Sequence, residues 1–163
     1  MSELTSEATI RKALPEDAEA FAACHLACWH EAYETLWGPD RLANFTLERM
    51  TERRRSEIEH GTADHFLAEV DGKVIGIAIA GPARDEQPPA ARELYASYLR
   101  SDYYGSGLAD ELVQAAIGTD PACLWVYRDN ARATAFYVNH DFIPDGEERQ
   151  DSAGILEIRM VRR

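Results

Sequence analysis

The chain has 163 residues, 45% hydrophobic and 28% charged, an ordinary globular balance, and at this length a core forms without disulfides or structural metal. With 17 Lys and Arg against 29 Asp and Glu the net charge is −12, which speaks against nucleic acid and against an anionic membrane surface, since both are bound through basic side chains. No apolar run approaches the roughly 20 residues of a membrane helix, the N-terminus lacks the basic and apolar parts of a secretory signal, and an odd set of three cysteines suits free thiols in a reducing compartment. A single cytoplasmic domain over 1–163, with residues 1–8 flexible, is expected.

Residues 9–13 read as a first strand. Pro15, Glu16 and Asp17 then open a helix, with proline at an early position and carboxylates at its positive end. Phe21, Cys24, Cys28, Trp29, Ala32 and Leu36 follow at helical spacing until Gly38-Pro39 stops the helix. A second amphipathic helix covers about residues 47–58, with Arg53-Arg54-Arg55 expected on a solvated face. Residues 65–70 and 73–80 form a hairpin around Asp71-Gly72, whose residues tolerate positive φ. The run Val74-Ile75-Gly76-Ile77-Ala78-Ile79-Ala80 is apolar on both faces and predicts a central strand covered on both sides. After a loop over 82–91 come a strand at 93–99, the glycine turn Tyr104-Gly105-Ser106-Gly107, a helix from Leu108 to Gly118 and a strand at 123–127. Such a β-α-β crossover implies parallel pairing. A helix over 131–139 and strands near 142–147 and 155–161 complete a mixed α/β chain.

Glycines in a strand-to-helix turn let a ligand approach the backbone, and the helix that follows aims N–H groups and its positive end at it. Residues 104–109 are therefore a candidate anion site, with a plain tight turn as the alternative. No Gly-Lys-Ser or Gly-Lys-Thr follows, and Asp110 occupies the third place of G-x-G-x-x-G, so two common phosphate motifs are excluded. Further on stands Asn130-Ala131-Arg132-Ala133-Thr134-Ala135-Phe136-Tyr137, followed by Phe142. Together these segments resemble the GNAT family of acyl-CoA-dependent N-acetyltransferases. The family's turn motif is Arg or Gln, two residues, Gly, one residue, then Gly or Ala; Tyr104-Gly105-Ser106-Gly107-Leu108-Ala109 follows it with Tyr104 in first place. Asp141 stands where the family has Gly before Phe142. The resemblance runs from Ile10-Arg11-Lys12-Ala13 to Ile158-Arg159-Met160-Val161.

The resemblance implies a mixed, mostly antiparallel sheet with a central parallel β-α-β unit, helices on both faces, and acetyl-CoA as co-substrate. It implies that the strand end Tyr98-Leu99 pairs its backbone with the pantetheine arm. Backbone N–H groups of Gly105, Ser106, Gly107, Leu108 and Ala109, after Tyr104, would hold the pyrophosphate, and Asn130 would touch the cofactor's amide region. Tyr137 looks like the general acid, since a phenol with a reference pKa of about 10 is protonated at neutral pH and able to donate to a leaving thiolate. Glu93, eleven residues before Tyr104, is the candidate base, against the alternatives of a water chain and of an exposed acid at a strand start. His25, Trp29 and Tyr33 are candidates for the acceptor side, where aromatic rings beside acids suit a cationic amine; Trp29 also reads as core, and His30 and Glu31 as solvated. A metal reading of Cys24, His25, Cys28 and His30 fails for want of a second ligand pair at zinc spacing. Asp110 and Glu111 favour the helix dipole but would repel a polyanion.

The expected reaction is transfer of acetyl to a primary amine, of a small molecule or a peptide, by a monomer or homodimer. The alternatives are acetylation of protein N-termini or lysines, and an acyl-CoA sensor without catalysis, for which Tyr104, Asp110 and Asp141 are the supporting departures.

Overall fold

The computed structural model describes residues 7–163, so the expectation for residues 1–8 falls almost wholly outside the described residues. Within them lie strands β1 (Ala8–Lys12), β2 (Asp64–Val70), β3 (Lys73–Pro82), β4 (Arg92–Leu99), β5 (Ala122–Tyr127), β6 (Ile143–Gln150) and β7 (Leu156–Arg162). Their hydrogen-bonded order is β1-β2-β3-β4-β5-β7-β6, mostly antiparallel, with β4 and β5 parallel and Glu93 opposite Cys123. The helices are α1 (Ala18–Trp37), α2 (Pro39–Ala43), α3 (Leu47–His60), α4 (Leu108–Ile117) and α5 (Ala131–Val138). This is the expected fold class. The chain divides into two compact units: the described residues up to Ile79 with Ala96–Gly118, and Ala80–Tyr95 with Thr119–Arg163.

In the first unit, Asp71 and Gly72 take φ of 54° and 76°, the turn that matches the twist of paired strands. From Val74 to Ile79 every residue of β3 is buried, as its two apolar faces predict. Gly76 is where α4 closes on this strand: a Cβ there would lie 2.8 Å from Leu112 Cδ1 and 2.9 Å from Leu99 Cδ1. Arg11 on β1 holds the entry to α1, its Nη1 and Nη2 donating to both oxygens of Asp17 at 2.8 and 2.9 Å while Nε reaches Glu69 at 2.9 Å.

Gly38, at φ 80°, ends α1 as expected, but Pro39 then supplies the first position of the short α2, which the sequence did not announce. Thr46 caps α3 by accepting from Arg49 N, and Gly61 closes it in the left-handed conformation. The arginine run is not one solvated face. Arg53 is exposed, whereas the Arg54 side chain is only 11% exposed and lies 3.5 Å from Glu57. Glu57 in turn accepts from His65 Nε2 at 3.1 Å, joining α3 to β2.

The second unit is built on β5, β7 and β6, with Leu124, Phe142, Met160 and Val161 fully buried. Asp141 has φ 70°, the left-handed conformation that glycine adopts freely and that Asp is among the few other residues to tolerate. That accounts physically for the residue standing where the family has glycine. Arg162 closes the unit, donating to Asp120 O at 2.7 and 3.0 Å with its guanidinium over Phe142.

Filling Gly76 should disturb the α4 contact: Gly76→Ala is expected to cost about 1–3 kcal/mol in urea unfolding, the usual range for overpacking. Burial alone would raise the Glu57 pKa, but the His65 hydrogen bond and the Arg54 charge more than offset it and hold the group at about 2 against an ordinary 4.5. The unfolded chain therefore binds this proton more readily, and the stabilisation, full above pH 4.5, is lost as pH falls toward about 2. Urea midpoints across that range should fall less steeply in Glu57→Gln than in the wild type.

Candidate active site

The turn leading into α4 is formed by backbone geometry more than by side chains. Gly105 and Gly107 have φ of 82° and 89°, which only glycine adopts without strain, and nothing lies within 4 Å of where either Cβ would be. Ser106 N donates to Tyr103 O, and Leu108 N to Ser106 Oγ. The N–H groups of Gly105, Gly107 and Ala109 have no acceptor among the described residues. A row of unpaired N–H groups at the positive end of a helix suits phosphate oxygens, so the residues present fit the pyrophosphate of a CoA thioester. Tyr104 is 39% exposed, and Asp110 and Glu111, in the first turn of α4, are exposed residues.

Strand register sharpens the pantetheine expectation. Arg100 N donates to Ile75 O on β3 at 2.9 Å, so two residues earlier the backbone of Tyr98 also faces β3, and Tyr98 O lies close to Gly76. The backbone groups of Leu99 and Ser97 then face the other edge of β4. Ser97 was not singled out in the sequence; only the register identifies it.

His25, Trp29, Tyr33 and Tyr98 come together. The His25 ring lies 4.4 Å from Trp29 and 5.3 Å from Tyr98, and Tyr33 Oη and Tyr98 Oη are 2.8 Å apart. Trp29 also packs on Trp37 and Phe45, in keeping with its core reading. His25 is 4% exposed, and both its ring nitrogens are buried without a hydrogen-bond partner among the described residues. Burial, reinforced by the Arg54 charge, pushes its pKa down to about 3, so the ring is neutral near pH 7. His30 is exposed as expected, but Glu31 is held by Arg100 and Ser101. Among the described residues no group of three or more His, Cys, Asp or Glu is arranged to hold a metal ion.

In the second unit Glu93 is 2% exposed, which rules out the exposed-acid alternative. Its Oε1 accepts from Arg84 N at 3.0 Å and Nε at 3.3 Å, and its Oε2 from Nη2 at 2.7 Å. The guanidinium stacks 3.9 Å from the centroid of Tyr95, whose hydroxyl donates to Pro82 O. Arg84 lies in the stretch expected to be a plain loop. That stretch is pinned again by Asp85, which accepts from Trp125 Nε1 at 3.0 Å and from Arg159 at 3.1 Å. No local spacing could reveal these partners, because they meet only through tertiary pairing. Asn130 caps α5, its Oδ1 accepting from Ala133 N at 3.2 Å. Tyr137 is 9% exposed on that helix, its ring 5.9 Å from Phe142 and 5.3 Å from Phe136.

Comparison with known proteins bears on the family and the fold. The profile of the acetyltransferase (GNAT) family matches residues 24–142. An uncharacterized N-acetyltransferase of Bacillus subtilis strain 168, YuaI, is 27% identical over 154 residues, covering 90% of this chain and 87% of its own. The crystal structure of the PaiA N-acetyltransferase of Thermoplasma acidophilum in complex with coenzyme A superposes with a TM-score of 0.76 at 19% identity, covering 96% of this chain and 99% of the other. A GNAT-family acetyltransferase from Streptococcus pneumoniae gives 0.69 at 22% identity, covering 96% and 98%. The chain belongs to the GNAT family of acetyltransferases, enzymes that take their acetyl group from acetyl-CoA.

Proposed function

We propose that this enzyme transfers acetyl from acetyl-CoA directly to the primary amine of a small molecule, with Tyr137 as general acid. The observation that carries the reading is the turn before α4, with its two left-handed glycines and the N–H groups of Gly105, Gly107 and Ala109 left without an acceptor among the described residues. These amides take the pyrophosphate, the outward backbone of Leu99 and Ser97 pairs with the pantetheine arm, and Asn130, beyond capping α5, contacts its amide region. The amine nitrogen attacks the thioester carbonyl and the carbon–sulfur bond breaks. The departing thiolate takes the phenolic proton of Tyr137, which solvent later restores.

Glu93 is the proposed acceptor of the proton lost by the amine. Among the described residues its Oε1 accepts twice from Arg84 but its Oε2 accepts only from Nη2, so the second lone pair of Oε2 is the place for that proton. The ring cluster of His25, Trp29 and Tyr33, with the net charge of −12, supports a cationic amine as acceptor. The enzyme works as one domain, since β3 and β4 each contribute residues to both units. No described helix is long and apolar enough to cross a membrane, and the three free cysteines support a cytoplasmic setting for a monomer or homodimer.

Calorimetric titration should show one acetyl-CoA bound per chain in both wild type and Tyr137→Phe, while turnover of the variant falls roughly a hundredfold or more. Wild-type protein that fails to bind acetyl-CoA would overturn the reading of the turn, and undiminished turnover in the variant would remove Tyr137 from the mechanism. Glu93→Gln should abolish the acid limb of the kcat/KM profile; an unchanged limb would make solvent the proton acceptor.

A further inference from the structure

Glu31 lies on α1, yet among the described residues its side-chain hydrogen bonds all run to the two residues that follow β4. Its Oε1 accepts from Arg100 Nε at 3.1 Å and from Ser101 N at 3.0 Å, and its Oε2 accepts from Ser101 Oγ at 2.7 Å and from Arg100 Nη2 at 3.4 Å. Four donors meet one carboxylate, and one of them is a backbone N–H. Burial would raise the Glu31 pKa, and these donors more than reverse that, holding it below the ordinary carboxylate range.

Arg100 and Ser101 lead into the glycine turn through a ladder of short bonds. Tyr103 N donates to Arg100 O at 2.9 Å, Tyr104 N to Ser101 O at 3.1 Å, and Ser106 N to Tyr103 O at 3.1 Å. On the other side, Arg100 N is fixed to Ile75 O on β3. Ser101 thus anchors the stretch that leads into the turn. Its amide N–H, its hydroxyl and the neighbouring guanidinium are all held by one side chain.

We propose that Glu31 is a positioning residue for the phosphate-binding turn: it fixes Ser101, and through the ladder sets the placement of the N–H groups at Gly105, Gly107 and Ala109. The proposal rests on the reading of that turn as the pyrophosphate cradle. It makes α1, which carries the aromatic cluster proposed for the acceptor, a structural support of co-substrate affinity as well.

The test compares acetyl-CoA with S-acetylpantetheine, which carries the same thioester arm without the pyrophosphate, by calorimetric titration of wild type, Glu31→Ala and Glu31→Gln. In Glu31→Ala the Kd for acetyl-CoA should rise roughly threefold to tenfold, the range for losing charge-assisted hydrogen bonds at a part-exposed site, while that for S-acetylpantetheine stays unchanged. Glu31→Gln keeps one acceptor oxygen and should fall between; it also carries the test if the alanine variant does not fold. An equal loss for both thioesters, or none for either, would overturn the proposal. Tighter acetyl-CoA binding would overturn it too, by showing that Glu31 withholds Arg100 from the phosphates. Wild-type protein that binds both thioesters equally well would remove the phosphate reading of the turn itself, and the proposal with it.

Discussion

A strand without a polar face cannot sit at the edge of a sheet or against water, and β3 is such a strand. Its apolar residues on both sides require cover on both, and its backbone requires a partner along each edge. Much of the fold answers that demand: β2 and β4 flank it, and α4 lies close enough that position 76 has no room for a Cβ. The placement of α4 then determines where its first N–H groups emerge. A demand of the apolar core thereby reaches the polar chemistry, because the turn proposed to offer its amides to the pyrophosphate is the start of the helix that covers β3.

The periodicity of the chain was enough to read most of the elements, since each apolar run and each turn residue acts within a few positions. Alternation and Asp71-Gly72 placed the hairpin, and the two-faced run identified the interior strand. Helix α2 escaped because five residues are too few for a period, and Gly38-Pro39 reads equally well as the end of one helix and the start of another. The arginine triplet was misjudged for a related reason. Three adjacent residues on a helix point in three directions, and one of them, Arg54, is turned inward.

The candidate site was legible where it depends on backbone conformation and obscure where it depends on tertiary partners. Gly105 and Gly107 declare themselves, because glycine is the residue that takes positive φ without strain. Asp141 shows the same requirement met by a different residue. Glu93 could be located by its distance from the turn, but nothing near it in the chain foretells Arg84 on both its oxygens. Likewise Glu31 looks like one more acid on a helix surface until strand register brings Arg100 and Ser101 beneath it. Family resemblance supplied roles for Asn130 and Tyr137; the structure adds that Asn130 caps the helix on which Tyr137 is carried.

The burial of the cysteines has a consequence for an enzyme whose product is itself a thiol. Each turnover releases free CoA, which under oxidising conditions forms mixed disulfides with any accessible protein thiolate. Cys24, Cys28 and Cys123 are 4%, 2% and 1% exposed, and burial also pushes the Cys123 thiol up to about 11, so that its own thiolate is scarce at neutral pH. A chain folded in this way is shielded from capture by its own product.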